Sequence, residues 1–171
     1  MPPRQQWIVG LALPLTLAAA WAVLNLFARP APLTPLVVPE PQFDAARAAA
    51  DAARWRRAFP SRAVGSAEGA AFRADLIRSL TGLGLAVEVQ PFTVTVASEA
   101  RAGVNVIAQL APAPGGAAPG LLLLAHYDTP QAGGRDNVAA VAALVEIARV
   151  FAQDRPALPL TLLFADSGEY G

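Results

Sequence analysis

Apolar residues fall along this chain in distinct rhythms, and each rhythm predicts a different element. From Trp7 to Phe27 no position is charged, the run reading WIVGLALPLTLAAAWAVLNLF. At about 1.5 Å per residue it would reach roughly 30 Å, the thickness of a bilayer core. Pro14 would kink such a helix, which membrane helices tolerate. The pattern predicts a membrane anchor within residues 1–29, one transmembrane helix contacting the bilayer through residues 7–27. A cleaved signal peptide is the alternative, since Ala18-Ala19-Ala20 offers a small-residue cleavage site. Pro30, Pro32, Pro35, Pro39 and Pro41 then resist helix and sheet, so residues 30–41 read as an extended linker. An anchor of this kind predicts a single-pass protein of the cell membrane with its main domain extracytoplasmic.

Helical spacing returns in the Ala- and Arg-rich stretch from Phe43 to Phe59, which Pro60 ends. A second helix is expected from Ser66 to Leu80, with Ser66 as its cap and Phe72, Leu76 and Leu80 on one face. Gly82 and Gly84 are expected to stop it. Alternation follows over Leu85–Val96, with a break or bulge expected at Pro91. Val104–Leu110 predicts a short strand. The continuous apolar runs Leu121–Ala125 and Leu158–Ala165 predict central strands covered on both faces. Between them Asn137–Phe151 reads as a helix, and strand, helix, strand in that order implies a parallel pair joined by a crossover. The expected fold class is α/β, a three-layer α/β/α sandwich over residues 42–171.

Composition narrows the chemistry. The 13 basic residues are all Arg and are balanced by 13 Asp and Glu, so the chain lacks the basic excess that nucleic acid binding needs. There is no Cys, which excludes disulfides, thiolate metal sites and a Cys nucleophile. His126 is the one His, so any metal site must be built mainly from carboxylates. Ligands of open α/β sheets collect beyond the carboxyl ends of the strands. One apolar run ends in His126-Tyr127-Asp128-Thr129, the other in Asp166-Ser167-Gly168-Glu169-Tyr170, and the helix between them opens with Gly133-Gly134-Arg135-Asp136-Asn137. Asp128, Asp136, Asp166, Glu169 and His126 are thereby delivered to one sheet edge. In extended backbone His126 and Asp128 point to the same side. Asp128 can then accept a hydrogen bond from the ring nitrogen not used for metal, fixing the tautomer.

These segments together resemble the co-catalytic zinc exopeptidases typified by bacterial leucyl aminopeptidase, aminopeptidase Y and glutamate carboxypeptidase II. The likeness runs from Phe59 to the last residue. It is carried by Phe59–Ser66, Asn105–Ala108, His126-Tyr-Asp128-Thr, Gly-x-x-Asp136-Asn137 and Asp166-x-x-Glu169-x-Gly171. The resemblance implies two zinc ions, with His126 and Glu169 as ligands of different zincs, Asp136 bridging both, and Asp128 orienting His126. It implies a peptide substrate. The chain departs from the pattern at Gly168, where the family carries the glutamate that serves as general base, and at Ala139-Ala140, where it carries Ser-Gly. The family also draws a further Asp and a second His from later sequence. Three functions stay open: a membrane-anchored zinc aminopeptidase represented by its N-terminal part, a non-catalytic homologue acting as a membrane-tethered binding domain, and a glutaminyl cyclase-like enzyme with a single zinc.

Overall fold

The computed structural model describes residues 16–22, 43–116, 119–130 and 137–170. Residues 1–38 and 39–171 form separate compact units. Of the predicted anchor only residues 16–22 are described, as exposed helix; the rest of it lies outside the described residues, as does the linker 30–41. Among the described residues no helix is long and apolar enough to cross a membrane.

The second unit opens with α1 (Ala45–Ala58), whose first turn is capped by the Asp44 side chain accepting from the Arg47 N–H. The second helix, α2 (Ala67–Gly82), is capped by Ser66 as its position predicted, and buries Phe72, Leu76 and Leu80 along the predicted face. It runs through Gly82; Gly84, at φ +79°, makes the turn into the sheet. Strands β1 (Ala86–Val96) and β2 (Glu99–Leu110) form a long antiparallel hairpin. Pro91 causes no break: it pairs with Val104 in unbroken register. Proline is tolerated because β1 is an edge strand, where a missing N–H costs no ladder bond on the open side. The hairpin turns on Ala97 and Ser98, both at positive φ (48° and 68°). Without Gly or Asn that turn is silent in the sequence, which is why β2 was read too short.

Strand β3 (Leu121–His126), helix α3 (Val138–Gln153) and strand β4 (Leu160–Ala165) complete the sheet, in the order β1-β2-β4-β3. The β3–β4 pair is parallel as the crossover required, and β4 runs antiparallel to β2. One parity of side chains, Val106, Ala108 and Leu110 with Leu160, Leu162, Phe164 and Ala125, faces the helices and forms a single core with Trp55, Phe72, Leu76, Val141 and Val145. The opposite parity does not. Leu122 and Leu124 are 55% and 59% exposed. Two layers thus stand among the described residues where three were expected, and β3 lies at the sheet's edge rather than its centre. A run of leucines reads the same whether one face or both are covered, so the sequence could not distinguish them.

A buried carboxylate joins the helices. Glu146 on α3 is fully buried and accepts from Arg47 Nε at 2.8 Å, from the Asp44 backbone N–H at 3.1 Å, and from Arg149. The Arg47 hydrogen bond is the main reason its pKa falls from 4.5 to about 2. Because the folded-state value is the lower one, this stabilisation is complete above pH 4.5 and fades as the pH falls through about 2. Glu146→Gln is expected to cost about 2 kcal/mol at neutral pH. Hydrogen bonds to charged groups are worth about 1.5–3 kcal/mol, and the half-exposed Arg47 brings this figure down. Urea titrations at pH 7 and near pH 2 check it, since the difference between parent and variant should shrink in acid.

Candidate metal-binding site

The site lies where β3 and β4 end side by side. Their ladder continues for one bond past the strands, Tyr127 N–H donating to the Ala165 carbonyl at 2.9 Å. Beyond it β4 turns sharply through Ser167, a non-glycine residue at φ 69°. Backbone of this kind typically costs about 1–3 kcal/mol and persists only where its surroundings hold it. Here Asp166 does the holding. Its carboxylate accepts from the Ser167 N–H at 3.0 Å and the Val104 N–H at 3.1 Å, while its own N–H donates to Asn105 Oδ1 at 3.0 Å. Burial raises the Asp166 pKa. Its oxygens are engaged, so of the carboxylates expected at this edge Asp166 is a structural brace. Asn105, which opens the Asn-Val-Ile-Ala strand motif, is its partner.

The turn delivers Gly168 and Glu169 to Asp128. The Asp128 carboxylate is fully buried; Oδ1 accepts from the Gly168 N–H at 2.7 Å and Oδ2 from the Glu169 N–H at 3.1 Å. Oδ1 also lies 3.1 Å from His126 Nδ1. A buried carboxylate accepts only, so in the neutral ring the proton sits on Nδ1 and the lone pair on Nε2. The same-side geometry that alternation predicted for His126 and Asp128 is therefore present. The two amide bonds from the Gly168–Glu169 turn could not be foreseen, because they join residues forty positions apart.

His126 is partly buried, with its side chain 25% exposed. The Asn137 amide lies against Nε2 and occupies the direction a metal would take. The Glu169 carboxylate has no hydrogen bond or ion pair among the described residues. An imidazole oriented by a buried carboxylate, and the Glu169 carboxylate, are donor types that suit a borderline-soft divalent ion such as zinc. These two donors do not make a complete site. Among the described residues no three His, Asp or Glu stand close enough to hold a metal. Asp136, the expected bridging ligand, lies outside the described residues.

Gly168, where a general base was expected, is in close contact with the imidazole. A Cβ built there would lie 2.4 Å from both Cβ and Cγ of His126. Glycine at this position therefore makes room for the ring.

The model of peptidase family M28 matches residues 105–171, from Asn105 of the brace through Glu169. The matched segment includes His126, Asp128, Asn137, Asp166, Gly168 and Glu169. Among solved structures, the chain is 28% identical to a Zn-dependent exopeptidase from Parabacteroides distasonis, covering 77% of this chain and 49% of that one, with a TM-score of 0.67. It is 26% identical to a leucine aminopeptidase precursor from Bacteroides thetaiotaomicron, covering 77% and 49%, TM-score 0.66. It is 28% identical to the glutaminyl cyclase of Porphyromonas gingivalis, covering 75% and 47%, TM-score 0.66. The chain spans about half the length of these structures. No curated protein sequence matches it significantly.

The contact at Gly168 makes a direct prediction. Gly168→Ala should destabilise the chain by about 1–3 kcal/mol, the usual cost of overpacking, and should displace the imidazole. Thermal melts give the first quantity, and the ring signals of the single His give the second. A neutral Gly168→Ala would mean that the ring has a second resting place. For the same reason Gly168→Glu will not restore a base by itself.

Proposed function

We propose that this chain carries the N-terminal part of a zinc-dependent exopeptidase of the aminopeptidase type, with peptides as substrates. One observation supports this above the others: the Asp128 carboxylate binds His126 Nδ1 on one side and the Gly168 and Glu169 amides on the other. These contacts hold the His126 ring and the Glu169 backbone at neighbouring strand ends, and among the described residues the Glu169 carboxylate has no partner. His126, Glu169 and, by the family pattern, Asp136 would hold zinc. Bound there, zinc would polarise a scissile carbonyl and acidify water. The chain's own residues supply orientation: Asp128 holds the tautomer, and the Ser167 turn holds Glu169. They supply no proton carrier at position 168. A positioned carboxylate typically contributes about 10²–10⁴-fold, so hydrolysis by this site should be slow.

Glutaminyl cyclisation is the second reading, favoured by the comparable likeness to the Porphyromonas gingivalis enzyme. It differs in metal count, one zinc against two, and in product, since cyclisation of an N-terminal glutamine releases ammonia. We place the protein at the cell membrane on the strength of the uncharged run Trp7–Phe27. Deletion of residues 1–29 should abolish carbonate-resistant membrane association.

Zinc competition against a chromophoric chelator tests the site. The 171-residue chain should bind weakly, because zinc sites normally use three or four protein ligands. His126→Ala should abolish that binding, and Asp128→Asn should weaken it about 10–100-fold, as is typical when the partner of a metal-bound His is lost. Undiminished binding by His126→Ala would put the metal elsewhere and defeat the reading.

A further inference from the structure

The segment Phe59–Ser66 joined the resemblance as a motif without a role, and it holds a buried cation that the site chemistry does not use. Arg62 is fully buried. Its Nε donates to the Tyr127 carbonyl at 2.7 Å and its Nη1 to the Phe59 carbonyl at 2.7 Å, and the guanidinium lies 5.0 Å from the centre of the Phe72 ring. Its backbone pairs with Thr129 in both directions, Arg62 N–H to Thr129 O at 2.8 Å and Thr129 N–H to Arg62 O at 3.2 Å.

These contacts converge on the stretch where β3 leaves the ladder. After His126 the ladder with β4 continues for one bond, from the Tyr127 N–H to the Ala165 carbonyl. The Tyr127 carbonyl accepts from the Arg62 side chain and both backbone groups of Thr129 pair with the Arg62 backbone, and Tyr127, Asp128 and Thr129 are all buried. A buried carbonyl without a partner costs about 1–3 kcal/mol, so removing the Arg62 side chain would push the Tyr127 peptide to turn and find another donor. Turning Tyr127 would rotate Asp128 away from His126, because the same-side geometry depends on extended backbone from 126 to 128.

We propose that Arg62 is the positioning residue that keeps 126–128 extended and so holds the His126 ring on Asp128. The proposal rests on the reading of His126 and Asp128 as the site's working pair. Lysine is a poor substitute, because the planar fork reaches two carbonyls at once and an ammonium on a flexible stem does so less rigidly.

The chain's single His makes the test clean. With ¹⁵N-labelled histidine, the metal-free 171-residue chain should give one ring-nitrogen pair, with Nδ1 protonated and Nε2 bare. Arg62→Met keeps the volume and removes the donors. It should move that pair toward the averaged signals of free histidine, while the Trp55 indole N–H, held by Asp75 at 2.6 Å, keeps its folded position. Arg62→Lys should fall between the two. Unchanged ring signals in a folded Arg62→Met chain overturn the proposal. If Arg62→Met unfolds, Arg62→Lys decides, and parent-like ring signals in its folded form overturn it. If both variants unfold, Arg62 is a stability residue and the proposal is again overturned. Failure of the parent to bind zinc would defeat the proposed function while leaving the ring assignment intact.

Discussion

A carboxylate removed from water must be fully hydrogen-bonded, and the arrangement around Asp128 follows from that requirement. Its desolvation would cost several kcal/mol if left uncompensated. The donors that compensate it are the His126 ring and the amides of Gly168 and Glu169. Satisfying this one side chain therefore draws the end of β3 and the turn after β4 together. The left-handed Ser167, the glycine at 168 and the direction of Glu169 are consequences of that closure.

The same principle recurs through the domain. Glu146 gathers Arg47, Arg149 and the start of α1; Asp166 gathers β2 and the turn after β4; Arg62 gathers the loop before α2 and the exit of β3. Among the described residues no buried side-chain nitrogen or oxygen is left without a partner. Apolar burial supplies the cohesion between sheet and helices, but it is indifferent to small slips. The buried charges are not, because each accepts only a few geometries. They determine where strand ends lie relative to one another, which is what a metal site needs.

Much of this was legible beforehand, for identifiable reasons. The capping of α2 by Ser66 and the face formed by Phe72, Leu76 and Leu80 depend on neighbours three or four residues away, so local sequence carries them. The parallel β3–β4 pair followed from a strand, helix, strand order. The His126–Asp128 contact followed from pleat geometry across two residues. The hairpin at Ala97–Ser98 was hidden, because residues that usually avoid positive φ adopt it there under the pull of a long register. Sheet order was hidden too: Leu121–Leu124 look like a buried strand, and only the pairing shows that β3 is an edge with Leu122 and Leu124 exposed.

By itself the sequence determined which residue types could do chemistry, one imidazole and a few carboxylates with no thiol, and that they would meet at the carboxyl ends of two neighbouring strands. Both are matters of composition and short-range periodicity. Tertiary structure alone decided the rest. It separated Asp166, whose oxygens are taken up as a brace, from Glu169, whose carboxylate has no partner among the described residues. It revealed that the His126 ring lies against Gly168, leaving no room there for a Cβ. Those outcomes depend on contacts between residues tens of positions apart, where a difference of one ångström decides whether a group is a donor's partner, a ligand or an obstacle.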